Sequence, residues 1–276
     1  MHWGLVLSGG AAFGIANGGV LEVLEHEGLK PDYVAGSSMG AIVGAAYAMG
    51  IPLPKLRKCV GKLCLTNVAR WSPHPLKDGL HGGIFRQCLE EHLGPLLQDA
   101  CIADCTIPFV CVAGKVKESI RWMHILHEGF TQEVLDSVEL HVFPPKTKLL
   151  DAVTASSAIP VVFSPVEIDG IQYVDLCHFG PIPARTLKEM YDPDRIIATD
   201  TYPSYDGLAR FLPAGWKEFL RVGHAEIKKS KAVCDLLIKP VMPFPLFRFD
   251  KGEAFWEAGK QVAAERIADV KAVIGA

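Results

Sequence analysis

The chain has 276 residues, 49% of them hydrophobic and 21% charged, with a formal net charge of −3. That length and apolar fraction can bury a sizeable core. The near-neutral balance, with no Lys/Arg run forming a basic stripe, argues against a nucleic-acid partner.

The opening segment from Met1 to Leu7 has neither the basic start nor the long apolar stretch of a secretory leader. Trp3 to Leu7 is a short apolar run, expected as a buried strand. A Gly/Ala loop follows from Ser8 to Gly14. Ile15 to His26 carries apolar residues at helical spacing and stops at Gly28. Asp32 to Ala35 reads as a second strand and Ala41 to Met49 as a second helix. Strands separated by helices imply a parallel sheet with right-handed crossovers. From Tyr33 to Pro54 there is no charged residue, but the glycines at 36, 40, 44 and 50 fit a strand, a sharp turn and a fully buried helix better than a membrane span.

Further along, Leu53–Leu65 and Ile84–Leu97 are predicted helices, separated by a loop from Ser72 to Gly83. Ile107–Ala113 and Ser119–Leu126 are predicted strands. A helix over Lys148–Ala158 precedes two strands, Val161–Ile168 and Ile171–Val174, joined by the hairpin signal Asp169-Gly170. Arg195–Thr199 is a predicted strand, and Leu208–Lys231 and Lys251–Val273 are long predicted helices. No internal repeat, low-complexity linker or shift in composition divides the chain, so one domain over 1–276 is expected.

The eight cysteines are scattered with no CxxC pair, as expected for free thiols packed in a reducing compartment, here the cytoplasm. His124 and His127 have no cysteine or carboxylate beside them at ligand spacing and read as structural or surface residues. No metal or organic cofactor is implied.

The chemistry concentrates in two strand-to-helix loops. Gly36-x-Ser38-x-Gly40 joins an apolar strand to a small-residue helix, a turn so tight that Gly36 and Gly40 tolerate little else, and it lifts the Ser38 hydroxyl out of the sheet. Ser38 then stands at the amino end of a helix, where unpaired N–H groups such as that of Met39 favour developing negative charge. The other loop, Ser8-Gly9-Gly10-Ala11-Ala12-Phe13-Gly14, can present bare amides: Gly9, Gly10 and Ala11 are candidates for an oxyanion hole. A nucleotide reading fails, because no Gly-Lys-Ser/Thr ending exists and Ala11 replaces the dinucleotide pattern's second glycine.

These loops, together with Ala155-Ser156-Ser157-Ala158-Ile159-Pro160 and Tyr173-Val174-Asp175, resemble the patatin-like phospholipase family from Leu5 to about Pro183, with a weaker echo in the C-terminal helix. The resemblance implies a three-layer α/β/α fold with a mostly parallel central sheet, and a Ser–Asp dyad in which Ser38 is the nucleophile and Asp175 takes its proton. It implies a lipid acyl hydrolase acting on fatty-acyl esters or phospholipids through an acyl-serine intermediate. Three positions depart from the pattern: Ala11 stands for a glycine, a mild change since the amide is retained; Phe13 stands for a basic residue; Leu176 and Cys177 stand where small residues follow the aspartate. Leu and Cys resist left-handed backbone angles. The rival reading is therefore a catalytically impaired scaffold that binds lipid or a protein partner. Acyl transfer to another alcohol is a third possibility.

His178 is read as surface or packing, Cys177 as packing, and Ser156 and Ser157 as helix-end hydroxyls serving local backbone groups. The apolar, Pro-rich segment Val241–Phe249 is a candidate for an acyl channel, a peripheral membrane contact or a plain packed loop.

Overall fold

The computed structural model describes residues 1–60, 84–97, 99–117, 132–160, 162–176, 179–202 and 214–276, with 84–86, 88, 132, 135, 214–216, 218 and 219 described by backbone alone. Strand β1 (Trp3–Leu7) is buried along its whole length. It pairs in parallel with β2 (Tyr33–Gly36) on one side and β7 (Arg195–Thr199) on the other. Outside these lie β3 (Phe109–Val116), parallel to β2, and β8 (Leu236–Ile238), parallel to β7. Three antiparallel strands complete the eight-stranded sheet. β4 (Val138–Val142) and β6 (Ile171–Val174) both pair with β3, and β5 (Val166–Ile168) pairs with β6.

Alternation along the strands explains the layers. Leu5, Leu7 and Val34 point into the larger core, which receives helices α1 (Ala16–His26), α2 (Met39–Ala48), α7 (Leu149–Ser156) and α10 (Gly252–Glu265). Val6, Ala35, Val110 and Val112 point to the other face, under α8 (Ala184–Tyr191) and α9 (Ala214–Lys231). Burial on both faces is why the parallel strands are nearly continuous apolar runs. The remaining helices among the described residues are α3 (Leu53–Val60), α4 (Ile84–His92), α5 (Gly94–Leu97), α6 (Gln132–Asp136) and α11 (Ile267–Ile274).

The register of β3 positions the site. Gly36, the last residue of β2, lies opposite Cys111, while Val174, the last of β6, lies opposite Gly114. Val34 N–H donates to the Pro108 carbonyl and Phe143 N–H, just past β4, to that of Cys111. Because backbone groups alternate between the two edges of a strand, β2 and β4 lie on opposite edges. β6 therefore occupies the edge that β2 has left. One residue beyond each strand end, the chains after Gly36 and Val174 run head to head.

All ten residues of α2 are buried, as expected of the charge-free segment, and no helix among the described residues is long and apolar enough to cross a membrane. The Asp169-Gly170 hairpin forms with φ of 51° and 76°, the pair of positive angles a type I′ turn requires. Several expectations need correction. The helix predicted over Ile84–Leu97 breaks at Leu93, where Pro95 in the next turn lacks an N–H. The strand predicted over Val161–Ile168 is only Val166–Ile168: Val162 and Phe163 N–H turn back to the Ile159 carbonyl, and Pro165 precedes the strand. Lys251–Val273 is a short 3-10 turn followed by two helices parted at Arg266, for which nothing in the local sequence supplies a reason. β4 and β8 were not expected, although Val138–Val142 alternates apolar and polar residues. The predicted strand Ser119–Leu126, the loop Ser72–Gly83, the ends of two predicted helices (61–65 and 208–213), and His124 and His127 lie outside the described residues.

α1 and α10 approach so closely that a Cβ on Gly259 would sit 1.9 Å from the Ala16 carbonyl oxygen, and one on Gly19 would be as close to that of Trp256. Trp256 is fully buried in this contact and donates its indole N–H to Glu22 at 2.5 Å. Gly259→Ala must force two backbones apart. It is expected to destabilise the protein by about 3 kcal/mol, read as a lowered urea midpoint.

Candidate active site

Beyond Leu7 the chain leaves the sheet through Ser8 and is held there by buried hydroxyls. Ser8 N–H donates to Thr199 Oγ1 at 2.9 Å, Thr201 N–H to Ser8 Oγ at 2.8 Å, and Thr201 Oγ1 to the Gly9 carbonyl at 2.9 Å. Asn17 Nδ2 donates to the Ser8 carbonyl at 2.9 Å. Gly10 then adopts φ 146°, with room for a Cβ denied by the Thr201 carbonyl 2.6 Å away. Ala11 follows at φ 45°. Its replacement of glycine is thus not mild, because an L-residue in the left-handed region costs about 1–2 kcal/mol.

The second loop crosses directly over the first. A Cβ on Gly40 would lie 2.1 Å from the Leu7 carbonyl oxygen, and one on Gly36 would lie 2.5 Å from that of Gly40. Both positions of the Gly-x-Ser-x-Gly turn are therefore glycine for want of space. Between them Ser38 is held at φ 53°, ψ −130° as the residue before α2. For a serine this is a strained backbone conformation, the kind that persists only when surrounding structure over-determines it. Its side chain makes no capping bond to the helix. Its N–H donates to Ser156 Oγ at 2.9 Å, at the end of α7.

Gly9 sits against this turn, its would-be Cβ 3.1 Å from Ser38 Cβ, and its N–H donates to the Pro181 carbonyl at 2.7 Å. Gly9 thus serves by being small, and its amide is not open to a ligand. The amides of Gly10 and Ala11, and that of Met39 at the first position of α2, have no hydrogen-bond acceptor among the described residues.

Asp175 is buried at the end of β6, and its N–H donates to the Ala158 carbonyl at 2.9 Å. The register of β3 brings residues 37–38 and 175 to one level of the sheet. No hydrogen bond joins the Ser38 hydroxyl to the Asp175 carboxylate. Leu176 has an ordinary negative φ and is buried in the smaller core, so the position after the aspartate does not require left-handed backbone. Cys177 and His178 lie outside the described residues. Phe13 packs on Phe255, ring centroids 5.5 Å apart, tying the glycine loop to α10.

Two neighbouring serines correct an expectation. Ser156 was expected to serve a local backbone group, yet its hydroxyl accepts from Ser38, a contact no local pattern announces. Ser157 Oγ is buried with no hydrogen-bond partner among the described residues. Burial pushes the thiols of Cys105, Cys111 and Cys234 up to about 12, away from the thiolate form at neutral pH. Among the described residues no group of three or more His, Cys, Asp or Glu could hold a metal ion.

The two serines should respond oppositely to truncation. Ser156→Ala strands a buried amide and is expected to cost about 1–3 kcal/mol. Ser157→Ala removes an unpaired hydroxyl and should leave the urea midpoint unchanged or raised.

A family model described as patatin-like phospholipase matches residues 5–175, more than half of the chain. A patatin-like phospholipase domain-containing protein of Caenorhabditis elegans is 23% identical over 306 residues, covering 96% of this chain and 25% of its own length. Lysophospholipase NTE1 of Saccharomyces cerevisiae is 29% identical over 130 residues, 44% of this chain and 7% of its own. The Aspergillus fumigatus lysophospholipase nte1 is 51% identical over 121 residues, 42% of this chain and 8% of its own. The chain thus spans a quarter or less of the length of these curated relatives. In three dimensions it is similar in fold to VipD from Legionella pneumophila, with a TM-score of 0.54 at 15% identity, over 96% of this chain and 67% of that one. On the matched sequence, and with the glycine loop and serine turn standing where that sequence puts them, this chain belongs to the patatin-like phospholipase family.

Proposed function

We propose that the protein is a lipid acyl hydrolase in which Ser38 is the nucleophile and Asp175 the proton acceptor. The observation that carries this is the strained turn at Ser38, which holds a buried hydroxyl that makes no capping bond to its helix, near the Gly10, Ala11 and Met39 amides that have no acceptor among the described residues. Ser38 Oγ attacks the carbonyl carbon of a fatty-acyl ester while its proton passes to Asp175. The negative charge on the former carbonyl oxygen is received by the amides of Gly10, Ala11 and Met39. Collapse expels the alcohol, which takes the proton back, and water then cleaves the acyl-serine by the same route. A carboxylate is a weaker base than imidazole at neutral pH, so the reaction leans on the preorganised amides and on the position of Asp175.

One observation favours the rival reading of a lipid-binding relative without turnover: the Ser38 hydroxyl and Asp175 carboxylate share no hydrogen bond. Catalytic hydrogen bonds often tighten only when substrate is bound, so turnover itself decides. The protein should hydrolyse a short p-nitrophenyl ester and take up a fluorophosphonate label on Ser38. Ser38→Ala should abolish the label and lower kcat/KM by about 10⁴-fold or more. Asp175→Asn should lower it by about 10²–10⁴-fold. Neither hydrolysis nor labelling in the parent would leave only the binding role.

A further inference from the structure

Exposed large apolar side chains are few among the described residues: Met1, Leu140, Met190, Val233, Val241, Phe244 and Phe247. Three of these seven fall in one short Pro-rich stretch, where Val241 is 87% exposed, Phe247 49% and Phe244 36%. The stretch is not loosely attached. Phe249 is buried, Met242 packs on the larger core, and the Phe244 ring meets the Phe255 ring edge-on at 6.4 Å. Its Leu246 carbonyl accepts the Ala12 N–H at 3.3 Å, so it is fastened to the glycine loop beside Ser38. Phe13, Phe255 and Phe244 form a line of rings from that loop to the surface.

The charges around the stretch are mainly positive. Lys251 Nζ lies 5.6 Å and the Arg248 guanidinium 5.9 Å from the Phe244 ring centre. Lys239, exposed, stands 3.8 Å from an Asp200 oxygen that Lys231 already binds at 2.6 Å. Of the exposed acids nearby, Asp250 is clasped by Arg248 and lies 3.7 Å from Lys251, and Glu253 is taken by Arg57. Aromatic and aliphatic tips ringed by Lys and Arg are what an anionic lipid surface selects: the tips enter the acyl boundary and the cations meet headgroups.

We propose that Val241–Phe249 is the face by which the protein sits on an anionic membrane, holding the glycine loop and Ser38 at the lipid surface. The proposal rests on the lipid-ester reading for its purpose, and its test is separable from that reading. Residues Val241 and Phe247 belong to no part of the proposed catalytic apparatus, so the double variant Val241→Asp/Phe247→Asp isolates the face.

The experiment has two arms. In the first, Ser38→Ala protein is sedimented with phosphatidylcholine vesicles containing roughly a third phosphatidylserine, with and without the double substitution. The double variant should bind about tenfold or more weakly, since two apolar tips become charges, and omitting the anionic lipid should weaken the Ser38→Ala protein by about fivefold or more. In the second, protein with Ser38 intact should lose hydrolysis of vesicle phospholipid on the double substitution while keeping p-nitrophenyl ester hydrolysis within about twofold. Equal vesicle binding with and without the substitutions overturns the proposal. So does a self-association that the substitutions abolish in the absence of vesicle binding. An equal loss of soluble-ester hydrolysis overturns it too, because the face would then be part of the site. If the protein hydrolyses nothing, the first arm still decides the face while the catalytic reading fails alone.

Discussion

The structure turns on one contact, the crossing of the Ser38 turn over the exit of β1. A side chain at Gly40 would run into the Leu7 carbonyl, and one at Gly36 into the start of α2. That contact makes the two loops neighbours, sets Gly9 against the Ser38 side chain, and leaves Ser38 in a backbone conformation worth about 1–3 kcal/mol of strain. Strain of that size persists only if the rest of the fold holds the turn. Ser156 does so at the amide, and the wholly buried α2 does so by packing.

The glycine loop is braced from elsewhere. Thr199 and Thr201, at the end of β7, hold Ser8 and Gly9 through hydroxyls buried away from water. In such surroundings a satisfied hydroxyl pair fixes geometry firmly, since leaving either member unpaired is costly. The outer side of the loop is met by α10 and the Pro-rich stretch before it, through Phe255 and the Leu246 carbonyl. The C-terminal third of the chain, which lies beyond the residues 5–175 that the family model matches, therefore shapes the surroundings of the motifs at the start.

The division of β3 between two partners explains how two strand ends so distant in sequence come to face each other. β2 leaves its edge at Cys111 and β6 arrives at Gly114, so Asp175 emerges where Ser37 and Ser38 do. Two of the departures from the family pattern are absorbed by packing. Leu176 joins the smaller core without unusual backbone, and Phe13 replaces a charge with a ring contact. Ala11 keeps a visible cost, its positive φ.

What the sequence by itself determined is local: the buried strands, the glycines demanded by a crowded turn, the hairpin at Asp169-Gly170, and the candidacy of Ser38. Each is a matter of sterics and alternation within a few residues, and so it is written in the residues themselves. Tertiary structure decided the rest. That Ser156 serves Ser38 across 118 positions, that Gly9 gives its amide to Pro181, and that Thr201 backs the glycine loop depend on which strands become neighbours. Side-chain hydroxyls and backbone amides accept many partners equally well, and only the folded sheet brings one of them within reach.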